Sequence, residues 1–380
     1  MKSTLTTLPK PSPEAIALSN ALTQEIHSVI KKSGPIPFSQ FMQMALYHGQ
    51  LGYYQNDLKK FGESGDFVTA PEISPLFSHC LANQYLELAE KLQVNQIIEF
   101  GAGSGRMALD ILHYLKQINQ LPEQYLIIET SPSLQERQKQ LLQSQLPEYF
   151  SHIQWLSALP EQFEGIILGN EVMDAMPVDL YQKHQENIVK AYVDAVDGEL
   201  TWLWQTTEDV ALPKDEDYQE GYAFEYNAYL SPWVASLSDC LKKGGILLVD
   251  YGYPKSELLH PQRTERTFTC HYRHHTHDDP LSYIGLQDLT AHVDFTDLVE
   301  AAEANNLVLA GYTTQAQFLM GAGLLEFAAS LNTVEQLNAA QQIKTLTLPS
   351  EMGERFQVMA LCTEEVSNLR GFVFDLSHRL

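Results

Sequence analysis

The segment from Gln96 to Gln117, containing Glu99-Phe-Gly101-Ala102-Gly103-Ser-Gly105-Arg106, constrains the fold of this chain more than any other. A short apolar run precedes the glycines and a helical pattern follows them, so the unit reads as strand, loop and helix. Glycine is needed where a backbone turns sharply and approaches a ligand closely. The helix start then offers unsatisfied N–H groups to an anionic group.

The same rhythm continues on either side of that unit. Helical patterns cover 14–30, 39–47 and 75–92, with Pro37 and Pro75 as start signals. Apolar strands are predicted at 96–100, 125–129, 152–156, 165–168, 245–250, 307–312 and 356–362, with helices at 106–117, 133–145 and 295–305. Short, continuous apolar strands separated by helices indicate an α/β fold whose parallel sheet is covered on both faces. Two segments interrupt the rhythm. Residues 178–205 alternate polar and apolar, with Asp197-Gly198 as a hairpin signal, and are expected to form a β excursion. Residues 251–294 are rich in His, Asp and Pro and read as an irregular insertion. The expected organisation is an N-terminal helical and glycine-rich segment over 1–92, then a catalytic domain over 93–380 with insertions near 178–225 and 251–294.

Composition excludes several classes. A net charge of −24, from 24 basic and 48 acidic residues, repels phosphate backbones and argues against nucleic acid as a partner. It favours a basic partner surface, although acidic charge also serves solubility alone. Cys80, Cys240, Cys270 and Cys362 are scattered without a CxxC pair, which suggests neither a disulfide framework nor a zinc ribbon. No apolar run reaches the roughly 18 residues of a membrane span, so no membrane insertion is expected. Residues 1–13 lack a signal core and the arginines of a transit peptide. Bacterial cytoplasm is the expected location, and a processed chain of the mitochondrial matrix would read similarly.

The glycine loop admits two ligand classes. A dinucleotide fold places its third glycine where this chain has Arg106. Glu99, just before the first glycine, is also unsuited to receiving a pyrophosphate. It suits a ligand with an ammonium and a sulfonium group, and S-adenosylmethionine carries both. The alternative is an ordinary tight strand–helix turn. Glu129 ends the next strand, where an acid can accept two ribose hydroxyls of an adenosine or remain a solvated strand-end carboxylate. Ser157, past the third strand, stands where an adenine contact is expected. The fourth strand runs into Gly169-Asn170-Glu171-Val-Met-Asp174-Ala-Met-Pro177. Asn170 joins the cofactor candidates. Glu171 and Asp174 are the catalytic candidates, because carboxylates can hold a guanidinium bidentately and take up its proton. Asp174 could instead cap a following helix.

At this point the chain resembles the MidA-type methyltransferases, whose mitochondrial members assist assembly of respiratory complex I. The resemblance rests on seven ordered blocks: FMQMALYHGQLGYY (41–54), FGESGDFVTAPEISPLF (61–77), IIEFGAGSGRMALDIL (97–112), GNEVMDAMPVDLY (169–181), LLVDYGYP (247–254), CHYRHHTHDDP (270–280) and GLQDLTAHVDFTDL (285–298). It implies a class I methyltransferase (Rossmann-like) fold with a seven-stranded sheet, the last strand antiparallel. It also implies arginine N-methylation of a protein substrate with a basic segment, such as a respiratory-complex subunit. Gly101, Gly103 and Gly105 match the family's cofactor loop, with Ala102 between them. Met107, Arg266 and Phe268 depart from the family pattern, the last two in an irregular segment. Acceptors of other kinds, including small molecules, and a catalytically silent assembly factor are the competing readings.

Three polar groups remain. Asp66, Thr69 and Glu72 could lid the cofactor and contact substrate, or staple the N-terminal helices. His271, His274, His275 and His277, with Asp278 and Asp279, raise a metal hypothesis, but methyl transfer to nitrogen needs no metal and the spacing is not that of a helical zinc pair. No metal is expected. His292, in TAHVDF, could face the acceptor.

Overall fold

A computed structural model describes residues 8–56, 69–213, 218–263 and 266–380. They divide into two compact units, one drawn from Met1–Phe67, Asp174–Leu230 and Lys255–His292, the other from Val68–Met173, Ser231–Pro254 and Val293–Leu380. This differs from the expected break at 92/93. The helix over 75–92 belongs to the sheet unit, because Leu76, Phe77, Leu81, Leu88 and Leu92 are buried in the core that also holds Ile97 and Ile111. The two insertions join the N-terminal helices in a unit of their own.

The larger unit is built on strands β1 (Gln96–Phe100), β2 (Gln124–Ile128), β3 (Ile153–Leu156), β4 (Phe163–Asn170), β5 (Leu241–Tyr253), β6 (Val308–Thr314) and β7 (Phe356–Cys362). Their order is β6-β7-β5-β4-β1-β2-β3, with the short strand Val293–Asp294 added beside β5. Neighbours from β5 to β3 run parallel, and β7 is antiparallel to both β5 and β6. The antiparallel last strand agrees with the sequence reading, while the sheet holds eight strands among the described residues, the short one beside β5 standing outside the expected seven. β7 is buried at every position, which explains why it reads as an unbroken apolar run.

Helices α1 (Pro75–Leu92), α2 (Arg106–Gln117) and α3 (Pro132–Gln145) supply part of the cover. Pro75 occupies the first turn of α1 and the Ser74 hydroxyl accepts from Leu76 N, a start signal the sequence announces. The chain leaves β1 for β2 and β3 on one side, then returns to β4 on the other. That reversal lies between β1 and β4, and ligands of open α/β sheets bind outside the strand ends at such a point.

In the smaller unit, helices Pro13–Ser33 and Phe38–Tyr47 pack with the sheet formed by Ile36–Pro37, Asp179–His184, Asn187–Val196, Glu199–Thr207 and Ala223–Tyr226. Phe38 meets Phe268 edge-on at 5.0 Å between ring centroids. The expected hairpin is present: Val196 pairs with Glu199 across Asp197 and Gly198, whose φ values are 52° and 86°. The segment read as irregular is partly ordered as a sheet of Thr269–Tyr272, His275–His277 and Asp288–Thr290. Its tight turn is made by Arg273 and His274 at φ 48° and 62°, so no glycine or asparagine marks it in the sequence. All four cysteines are buried and free. No helix among the described residues is long and apolar enough to cross a membrane.

Candidate active site

The glycine loop is turned by Gly101, Gly103 and Gly105, at φ 60°, 54° and 85°. Gly101 N–H donates to Ile128 O at 2.9 Å, which ties the loop to β2, and Gly105 N–H closes onto Ala102 O at 2.7 Å. Gly105 is the left-handed residue from which α2 starts, and a Cβ there would lie 3.3 Å from Gln138 Cγ. Ala102 is buried in the core beneath. Arg106 turns along its own helix to an ion pair with Asp110 at 2.8 Å.

We expect Gly105→Ala to lower affinity for S-adenosylhomocysteine by about tenfold, since a left-handed alanine costs roughly 1–2 kcal/mol. Thermal unfolding with and without that ligand measures it, and an unchanged ligand-induced shift would refute it.

Glu99 is buried in β1, and its Oε2 accepts from the Tyr125 hydroxyl at 2.7 Å. Burial pushes its carboxyl up to about 7, the Tyr125 bond works against this, and the neighbouring Glu129 adds to it. Glu129, just past β2, is also buried. Its Oε1 accepts from Ser131 N at 2.9 Å and its Oε2 from Gln138 Nε2 at 3.1 Å. Ser157 is exposed immediately after β3. Thr69 precedes the short helix Ala70–Ile73 without capping it through its side chain. The Ser104 hydroxyl donates to Glu72 Oε1, so Glu72 braces the glycine loop. Asp66 lies outside the described residues.

The β4 exit lies beside this loop. Phe100 pairs in register with Gly169, and Val172 Cγ2 would be 3.7 Å from a Cβ on Gly101. Glu171 adopts a left-handed φ of 53°. A bulky residue seldom holds such a conformation unless its surroundings impose it. They do so here through β5. Glu171 N–H donates to Val249 O at 2.9 Å, while Val172 and Met173 N–H donate to Asp250 Oδ2 at 3.1 and 2.8 Å. Asn170 Nδ2 reaches Glu171 Oε1 at 3.1 Å. Asp250 and Gln138, both fully buried, were missed by the sequence reading. The acid closing the apolar run of β5 was the available sign for Asp250; nothing marked Gln138.

Asp174 belongs to the smaller unit. No helix follows it, so the helix-cap alternative falls away; the next element is the strand Asp179–His184. Its carbonyl accepts from Ala291 N at 2.9 Å, and Tyr47 Oη donates to Ala175 O at 3.0 Å. Tyr54 Oη bonds both carboxylate oxygens of Asp288, at 2.9 and 3.0 Å. Burial pushes the Tyr54 phenol well up, with Asp288, Tyr47 and Asp174 adding to the effect. His292 N–H donates to Thr267 Oγ1 at 3.2 Å. Thus Asp174, Tyr54, Asp288 and the strand end at His292 gather in one unit, and Glu129, Glu171 and the glycine loop in the other. In the histidine-rich hairpin, burial and then His277 lower the His271 ring. Among the described residues no group of three or more His, Cys, Asp or Glu is arranged to hold a metal ion.

Residues 80–313 match the model of the family described as "Putative S-adenosyl-L-methionine-dependent methyltransferase". The chain belongs to the MidA-type family of S-adenosylmethionine-dependent methyltransferases. This methyltransferase is 37% identical to a protein of Burkholderia thailandensis whose crystal structure holds S-adenosyl-homocysteine. That likeness covers 98% of this chain and 100% of the other, with a TM-score of 0.94. It is 29% identical to the mitochondrial "Protein arginine methyltransferase NDUFAF7 homolog" of Drosophila melanogaster, over 93% of this chain and 88% of the relative. The human NDUFAF7 protein is 28% identical over 87% and 81%.

The cofactor of this methyltransferase is S-adenosylmethionine, and the carboxyl ends of β1 and β2 fit it. A thrice-turned loop brings backbone N–H groups to the start of α2, and a buried acid stands at the end of β2 with both oxygens oriented. The raised Glu99 carboxyl is a site that an approaching cation would ionise.

Proposed function

We propose that this methyltransferase acts on a protein substrate and methylates a nitrogen of an arginine side chain. The observation that carries the reading is Glu171, held left-handed at the β4 exit beside the cofactor loop by its own N–H to Val249 O and by the next two N–H groups, of Val172 and Met173, to the Asp250 carboxylate. A left-handed residue fixed at a strand end beside the cofactor loop supports the reading of a group kept in place for chemistry. The names of the NDUFAF7 relatives support the choice of acceptor.

In this proposal Gly101 to Gly105, with Ala102, approach the methionine part of the cofactor, and Glu99 faces its ammonium group. Glu129 accepts the ribose hydroxyls, Ser157 lies by the adenine, and Asn170 and Thr69 complete the contacts. S-adenosylmethionine supplies an electrophilic methyl carbon on a positively charged sulfur. A guanidinium stays protonated at neutral pH and is a poor nucleophile. Glu171 aligns it, draws its charge toward the held nitrogens and accepts the proton that the methylated nitrogen loses; the S–C bond breaks as the N–C bond forms. Glu72 acts through Ser104. The net charge of −24 suits a partner that presents a basic segment.

The test is incubation with methyl-labelled S-adenosylmethionine and extract of cells lacking the protein, followed by acid hydrolysis of the precipitated protein. Label should appear in methylarginine. Label confined to lysine, or to the acid-soluble fraction, would replace the arginine reading with another acceptor.

A further inference from the structure

Helix α3 carries a buried polar side chain that the mechanism has not used. Gln138 is fully buried. Its Nε2 donates to the carbonyl of Gly103 at 2.9 Å and to Glu129 Oε2 at 3.1 Å. Its Oε1 accepts from Trp155 Nε1 at 2.9 Å. The orientation of this carboxamide is fixed by chemistry. An indole N–H can only donate, so the oxygen must face Trp155; a carbonyl can only accept, so the amino group must face Gly103, and Glu129 Oε2 lies on that same side. One side chain therefore joins β3, the end of β2 and the glycine loop. Its contact with the loop is also steric, since Gly105 approaches Gln138 Cγ closely enough that an added Cβ would sit at 3.3 Å.

We infer that Gln138 is the positioning residue of the cofactor site, orienting the Glu129 carboxylate for the ribose hydroxyls while holding the loop in register with it. The inference rests on the reading of Glu129 as the ribose acceptor. Ser131 N–H donates to Oε1 and Gln138 to Oε2, and the two bonds together fix the plane of the carboxylate. Without the Gln138 bond the carboxylate loses the anchor that ties it to the loop and to β3. Preorganisation of this kind raises affinity by removing the cost of ordering the acceptor at the moment of binding. Glutamate at 138 would keep the acceptor for Trp155 but set a second carboxylate against Glu129.

The readout is discrimination between S-adenosylhomocysteine and its 2′-deoxyribose analogue, measured by calorimetric titration of each into folded protein. A hydrogen bond to a charged group that is preorganised should make the wild type prefer the natural ligand by about 30-fold. In Gln138→Met and Gln138→Glu that ratio should fall to about threefold or less. If Gln138 only fills space, both ligands weaken equally and the ratio stays at the wild-type value, which overturns the inference. Glu129→Ala separates the two layers of the argument. Loss of discrimination in Glu129→Ala with retention in both Gln138 variants would leave the ribose acid standing and remove Gln138 from its role. Retention in Glu129→Ala as well would remove the ribose reading itself. Should a Gln138 variant fail to fold, Trp155→Phe deletes the only donor facing Oε1 among the described residues and lets the carboxamide turn. It should reduce the ratio by about threefold, and an unchanged ratio there counts against the inference in the same way.

Discussion

Replacing Glu171 by Gln is expected to lower the rate of methyl transfer by about 10³-fold, the scale of a positioned general base. Affinity for S-adenosylhomocysteine should stay within about threefold, because the interaction removed is made to the acceptor rather than to the cofactor. The substitution is chosen to spare the architecture. Glutamine keeps an Oε1 to accept from Asn170 Nδ2, and the backbone clamp from Val249 and Asp250 does not involve the side chain. What disappears is the negative charge that aligns a guanidinium and receives its proton. Initial rates of label incorporation into acid-precipitable protein, paired with titration of S-adenosylhomocysteine, measure both quantities. A rate within about tenfold of wild type would remove Glu171 from the chemistry. Asp250→Asn offers a useful contrast: it disturbs the loop beneath Glu171, so cofactor affinity and rate should fall together.

Much of this arrangement could be read from the chain because its signals are local. The strand 96–100, the helix 106–117 and the strand 356–362 were placed to the residue, each being a short apolar or amphipathic run bounded by glycine or a charged turn. Glycines at 101, 103 and 105 announced a ligand loop because left-handed backbone is hard for any other residue. What escaped is long-range. Gln138 looks like one more polar residue in PSLQERQKQLLQSQ, and only the fold brings Gly103, Glu129 and Trp155 around it. Asp250 is visible as an acid ending a strand, but its service to Val172 and Met173 depends on the β4–β5 pairing. The helix Thr333–Thr347 went unread although Asn332 and Glu335 form a capping box. Most of that helix is exposed, so it lacks the apolar stripe on which periodicity depends. The turn at Arg273-His274 was hidden for the opposite reason: the backbone signal is there, but on residues that rarely carry it.

The second large effect concerns Glu99 and pH. Its carboxyl is held at about 7 in the folded protein, against an ordinary value near 4.5, chiefly by burial. A group whose folded value is raised favours the folded state while it is protonated. Its contribution is therefore complete below pH 4.5 and is lost as pH rises through about 7. Between pH 5 and pH 8 this one residue should withdraw roughly 2–3 kcal/mol of stability from the cofactor-free protein. Glu99→Gln, which can still accept from Tyr125, should not show that loss. Urea unfolding of both proteins at the two pH values gives the difference directly, and parallel pH profiles would sink the assignment. The same carboxyl links stability to ligand. If Glu99 answers the cofactor's ammonium group, binding at pH 7 must ionise it and release up to about half a proton. Titrating S-adenosylhomocysteine in buffers of different ionisation enthalpy counts that proton. Release by wild type and none by Glu99→Gln is the expected pair of results. Equal release by both would leave Glu99 as a buried acid that costs stability above neutrality without meeting the cofactor.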